Sequence, residues 1–146
     1  MGVKFTRSGG LKGLSQRLLQ DVGREMGLFG SDAVEELKNR TVNQSRDVDG
    51  NTFKPYSKGY QRFKAEKTKV QSAKVNLTLS GDMIRSIVHE VLYQGSRIVV
   101  RIFSSSNYAA KKIEWNSEAR DFFGISKSEE KRFANVLTKV IGRLGQ

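Results

Sequence analysis

Two apolar runs set the first limit on what this chain can fold into. Ile87 to Tyr93 and Ile98 to Phe103 are rich in β-branched and large apolar residues, and Gly95-Ser96 lies between them. A glycine opening a two-residue link accepts the positive φ of a primed turn, so the spacing predicts a hairpin with a II′ turn. Val91, Leu92, Val99, Val100 and Ile102 place apolar side chains on both faces of that hairpin. Such a sheet needs cover on both sides. Helices are expected over one face, and further helices or a neighbouring subunit over the other.

The helices are legible as periodic stripes. Leu11, Leu14, Leu18, Val22 and Met26 predict an amphipathic helix from about Leu11 to Met26. Gly23 weakens it by up to about 1 kcal/mol relative to alanine. Gly27 to Gly30 reads as a break. Ser31 or Asp32 then caps a second helix to about Gln44, with Val34 and Leu37 inward and Glu35 and Glu36 near its dipole-positive end. Tyr108 to Asn116 reads as a short helix that buries Ala109, Ile113 and Trp115. Ser126 and Glu129 have capping-box spacing and open a last helix. Its stripe of Phe133, Val136, Leu137, Val140, Ile141 and Leu144 is expected in the core, with a subunit interface as the alternative.

The expected architecture is therefore α+β: a small antiparallel sheet with a central hairpin, flanked by N-terminal helices and an amphipathic C-terminal helix. Residues 1–146 form one expected domain, long enough for a real core. Residues 1–10 are expected to be a flexible arm and residues 46–76 an extended basic loop and helix region. Between that region and the hairpin lies Asn76 to Ile87, N-L-T-L-S-G-D-M-I-R-S-I. Leu77 and Leu79 alternate with polar residues as in a short strand. Ser80 is placed as a helix N-cap, Gly81 and Asp82 as the first turn, and Met83, Ile84 and Ile87 as an apolar face.

Charge narrows the partners. The chain carries a net charge of +11, which suits nucleic acid, an anionic membrane surface or an acidic protein surface. Lys54, Lys58, Arg62, Lys64, Lys67, Lys69 and Lys74 meet only Glu66 over one segment, with Tyr56, Tyr60 and Phe63 interleaved. Cations among aromatics can follow a phosphate backbone and stack bases. Equally they can form a solvated helix or meet an acidic neighbour.

Several classes of chemistry lack support. There is no cysteine, hence no disulfide framework and no zinc–thiolate site. His89 is the only histidine, and it reads as structural. Asp47-Val48-Asp49-Gly50-Asn51 resembles the start of a calcium loop, but counting from Asp47 puts glycine fourth and Lys58 twelfth. That site needs its glycine sixth and a glutamate twelfth, so an Asp-Gly turn is expected instead. Nucleotide, hydrolase and metalloprotease motifs are missing. No apolar run approaches the roughly 20 residues of a membrane span, and the first ten residues have no apolar signal-like core. The expected protein is not an enzyme and uses no cofactor or metal.

Three segments resemble motifs of the tail-completion and virion-morphogenesis proteins of tailed phages, the Mu-type family and related head–tail joining proteins. Asp49-Gly50-Asn51-Thr52-Phe53-Lys54-Pro55-Tyr56-Ser57 is similar to the family's G-x-x-W-x-P-L-S, with Phe53 in the tryptophan place and Tyr56 in the leucine place. Leu77 to Ile87 is similar to L-x-x-T-G-x-L-x-x-S-I, with Ser80 for threonine and Met83 for leucine. Ala119-Arg120-Asp121-Phe122-Phe123-Gly124-Ile125-Ser126 is similar to A-R-x-F-L-G-I-S. Lys111-Lys112-Ile113-Glu114-Trp115-Asn116 departs from the histidine-glutamine-glycine element that many relatives carry there.

The resemblance implies a structural virion protein of the neck or tail, made in the host bacterial cytoplasm. It implies a homo-oligomeric ring, with portal, adaptor or stopper proteins and tail-tube or terminator proteins as neighbours, non-specific contact with genomic DNA in the channel, and no membrane. Gly50, Phe53, Pro55, Leu79, Ser80, Gly81, Ser86, Ile87, Arg120, Phe122, Phe123 and Gly124 become motif residues of structural weight. Lys54, Tyr56, Lys58, Arg62, Lys64, Lys67 and Lys69 become contacts to a partner or to channel DNA. Arg120, Phe122 and Phe123 are expected to anchor a packed corner, and the Lys54 to Lys74 segment to be ordered by neighbours. The alternative reading is a small basic nucleic-acid-binding protein.

Overall fold

The computed structural model describes residues 2–7, 16–72, 74–78, 80–95 and 97–144. In chain order the elements are β1 (Gly2–Arg7), α1 (Gln16–Asn39), a π-helical turn (Arg40–Gln44), α2 (Lys58–Thr68), α3 (Asp82–Arg85), β2 (Ile87–Gln94), β3 (Arg97–Ser104), α4 (Asn107–Ala119) and α5 (Lys127–Leu144). The fold is α+β, as the sequence pattern leads one to expect.

β2 and β3 form the hairpin, in a register that pairs Val91 with Val100 and Gln94 with Arg97. Gly95 takes φ +59°, the sign a primed turn requires. β1 adds to the free edge of β3, giving the antiparallel order β1-β3-β2 and pairing Gly2 with Phe103 and Arg7 with Ile98. Gly2–Arg7 is thus a strand rather than the flexible arm expected for residues 1–10. The strand forms because the β3 edge offers unpaired backbone groups that a short segment can satisfy. Residues 8–10 lie outside the described part of the chain.

Gly27 to Gly30 does not break the first helix. α1 runs unbroken from Gln16 to Asn39 and continues into the π turn. Gly23, Gly27 and Gly30 share one helix face and lie over Tyr93, Val91 and His89, alternate residues of β2. At Gly30 a Cβ would come within 2.6 Å of the His89 ring and 2.9 Å of Val100. Glycine here permits helix–sheet contact, and tertiary packing outweighs its poor helix propensity.

Val22 and Met26 of α1, Ile98 and Val100 of β3, and Leu137 of α5 make one apolar cluster. Phe29, Leu37, Phe53, Met83, Ile84, Ile87, Ile113, Phe122 and Phe123 belong to the other. Phe133 packs against both and stacks on Phe29 with ring centroids 3.6 Å apart. The α5 stripe is only partly inside: Leu137 is buried, Phe133, Val140 and Ile141 are half-buried, and Val136 is exposed. The side chain of Leu144 lies outside the described set. The α5 capping box forms in both directions, Glu129 N–H to Ser126 Oγ at 3.2 Å and Ser126 N–H to Glu129 Oε2 at 2.8 Å. Among the described residues, no helix is long and apolar enough to cross a membrane.

Candidate partner-binding surface

The first motif segment is a tight turn that aims its aromatics. Arg46 bridges Thr52, and the Asp47 carboxylate accepts the N–H groups of Asp49 and Asn51 at 3.0 and 2.8 Å. Gly50 sits in the turn at φ +84°. This is the expected Asp-Gly turn, and no metal-ligating cluster is present among the described residues. The turn sends Phe53 into the core, 5% exposed. The following residue, Lys54, precedes proline and is disfavoured from helix, so the chain stays open until Ser57. The Ser57 hydroxyl then accepts the Tyr60 N–H at 3.2 Å and starts α2.

Tyr56 is the hinge of the surface. Its hydroxyl accepts the Leu77 N–H at 2.9 Å. Its ring has Lys64 Nζ and the Arg120 guanidinium each 5.0 Å from the centroid, with Tyr60 4.8 Å away. Burial pushes the Tyr56 phenol above its ordinary pKa, against the opposing pull of the Leu77 N–H. Burial likewise lowers the pKa of Lys64, whose ammonium is bonded to Asn76 Oδ1.

The rest of α2 faces outward. No residue of this helix is buried. Lys58, Arg62 and Lys67 are exposed along it, Lys69 caps it in the left-handed region at φ +57°, and Lys54 is exposed before it. Phe63 is 43% exposed, with Lys67 Nζ 5.9 Å from its ring. Within the basic loop and helix region, α2 is thus built without a buried residue against the body.

The second motif segment differs from expectation in detail. Asn76 to Thr78 is not a strand. Leu77 takes φ +52° and buries its side chain, while its N–H serves Tyr56. Leu79 lies outside the described residues. The Ser80 hydroxyl accepts the Asp82 N–H of the first turn at 3.4 Å, but from one residue before the cap position. Gly81 occupies the cap position at φ +82°, and the Ser80 hydroxyl donates to the Asp82 carboxylate at 2.6 Å. That bond and Arg85 hold the exposed Asp82 carboxyl below its usual pKa. Ser86 and Ile87 are buried. The Ser86 hydroxyl donates to Met83 O at 2.7 Å, and its carbonyl accepts the Ser105 N–H at 2.8 Å.

The third motif segment closes on the first. Val48 N–H donates to Asp121 O at 2.8 Å, and Arg120 donates to the carbonyls of Lys54 and Pro55 at 3.1 and 3.4 Å. A Cβ on Gly124 would meet Val48 Cγ1 at 2.8 Å. Phe122 is wholly buried and Phe123 is 5% exposed. The corner is packed within the chain. Its strongest polar tie escaped the sequence: buried Arg40, on the π turn, pairs with Glu129 at 2.5 Å and donates to Gly124 O at 2.8 Å. A lone arginine at the end of an amphipathic helix carries no sequence signal of such a role.

Trp115 was expected in the core and is instead 67% exposed. α4 turns Ala109 and Ile113 inward, and Trp115, two residues on, falls on its outer side. There it lines a groove of about 490 Å³ with Tyr56, Tyr60, Leu77, Met83, Lys112 and Arg120. α2, α4 and all three motif segments thus border one concavity. No family model, curated protein sequence or solved structure matches the chain.

Proposed function

We propose that this protein is a structural component of a tailed-phage virion that assembles as a homo-oligomeric ring at the head–tail junction or tail top. One observation carries the reading. The segments at 49–57, 77–87 and 119–126, which resemble motifs of that family, are remote in sequence yet bond to one another at a single corner. Arg120 reaches Lys54 and Pro55, Tyr56 reaches Leu77, and Phe53, Ile87 and Phe122 share one core cluster. A motif set that folds together supports a shared architecture better than any motif alone.

α2 suits a role in assembly. It is cationic and unburied, and a ring would repeat its charge around one axis. Light scattering after size exclusion across a concentration series, with negative-stain images, tests the reading. Closed rings of defined mass, alone or on a portal or tail-tube partner, are the expected result. A monomer that stays monomeric with those partners present overturns it.

Nucleic-acid binding by the monomer is the second reading, favoured by the exposure of Tyr60 and Phe63 among Lys58, Arg62 and Lys67. It requires tight duplex binding whose log affinity falls linearly with log salt.

A further inference from the structure

The groove between α2 and α4 has the make-up of a ligand site, and no motif assigns it. Its volume of about 490 Å³ falls within the range of roughly 300–1,000 Å³ typical of binding pockets. Trp115 and Tyr60 stand exposed at its walls, and Leu77 and Met83 supply apolar floor. Lys112 lies 4.3 Å from the Tyr108 ring centroid, and Arg120 lies over Tyr56. Among the described residues neither cation has a carboxylate within ion-pair distance.

We propose that this groove binds a short peptide segment of a partner protein, one that carries acidic side chains beside large apolar ones. An incoming carboxylate would meet two unpaired cations, and an apolar side chain would cover Trp115 and Met83. Aromatic and arginine residues of this kind are the usual anchors of protein interfaces.

The rim favours peptide over nucleic acid. Exposed Asp82 sits beside Gly81 at the mouth and feels the charge of Lys112, and exposed Glu118 follows Trp115 by one turn of α4. A phosphate at every nucleotide would meet those carboxylates, whereas a peptide can place its few charges away from them. The site stands whether or not copies of the chain close into a ring.

Trp115 is the only tryptophan, so its emission reports the groove directly. The probe is a short tryptophan-free peptide of alternating glutamate and leucine, titrated into the full chain. A saturable blue shift is expected. Lys112→Glu, at a half-buried position, and Tyr60→Ala, at an exposed one, both keep Trp115 and should each weaken binding about tenfold with unchanged circular dichroism. Three results overturn the proposal. One is no saturable shift, or an equal shift with a lysine–leucine peptide. Another is a thymidine oligonucleotide that acts at lower concentration than the peptide, which makes the groove a nucleic-acid site. The last is a shift that follows protein concentration alone, which makes a second copy the occupant.

Discussion

Arg40 and Arg120 both brace the corner around Phe122, and they do so in opposite ways. Arg40 is buried and spends its guanidinium inside, on the Glu129 carboxylate and on the carbonyls of Gly124 and Phe122. Arg120 is half-buried, bonds to the carbonyls of Lys54 and Pro55, and lies over the Tyr56 ring at the edge of an open groove. The concavity beside Arg40, about 470 Å³, is lined by charges such as Glu36 and Glu129 that already have partners. The groove beside Arg120 presents exposed aromatics and, among the described residues, cations that form no ion pair with a carboxylate. The difference separates a region whose buried charges folding has paired, although Arg40 Nε, Thr41 Oγ1 and Ser45 Oγ find no partner among the described residues, from one that still has ion pairs to make.

The comparison breaks most visibly on stability. Arg40→Met strands the Glu129 carboxylate in the interior and should cost about 3–5 kcal/mol. Arg120→Met loses hydrogen bonds at a wetter site and should cost about 1 kcal/mol. Urea midpoints at unchanged m-value measure both. Equal losses would erase the distinction, whereas partial recovery in Arg40→Met with Glu129→Gln would sharpen it.

Aromatics give the next contrast. Phe122→Ala should destabilise by about 3–5 kcal/mol through the cavity it leaves. Trp115→Ala should stay within about 0.5 kcal/mol, because the residue is 67% exposed. A large loss from Trp115→Ala would return that residue to the core that its sequence suggested.

A smaller effect is expected at the helix–sheet contact. Gly30→Ala drives a methyl into His89 and Val100 and should cost about 1–3 kcal/mol. Gly23→Ala meets only the end of the exposed Tyr93 side chain, which can swing aside. It should be neutral or stabilising by up to about 1 kcal/mol. Thermal melts of the two variants decide whether close approach is needed at one glycine or both.

The smallest effect is a pH dependence at Tyr56. Its folded pKa is raised above the ordinary 10.0 by burial. The protonated phenol therefore contributes stability that is fully present below the unfolded value and lost as pH climbs through the folded one. Urea midpoints from about pH 9 to about pH 11 should fall more steeply for wild type than for Tyr56→Phe. The variant should itself lose about 1 kcal/mol at neutral pH with the Leu77 hydrogen bond. Parallel slopes would show that Tyr56 titrates as if exposed.

The sequence by itself determined what depends on near neighbours. The two β-branched runs made a hairpin with Gly95 at positive φ, because turn chemistry and alternating side chains are local properties. Ser126 with Glu129 made a capping box, and Asp47 with Gly50 made a turn, since each bonds within a few residues. Ile87 was also readable as part of an apolar face, and Phe122 and Phe123 as anchors of a packed corner.

Tertiary structure decided the rest. Gly27 and Gly30 look like helix breakers until β2 lies against them; at Gly30 the missing Cβ is then the condition for contact, while a Cβ on Gly27 would meet Val91 at an ordinary 3.6 Å. Leu77 leaves the strand pattern because its N–H finds the Tyr56 hydroxyl, a partner 21 residues away. Gly2–Arg7 becomes a strand only when β3 offers an edge. Trp115 faces out because Ala109 and Ile113 fix the rotation of α4. Arg40 gains its weight from Glu129, 89 residues distant. In each case the deciding free energy comes from a contact between segments far apart in the chain, and local periodicity does not encode such contacts.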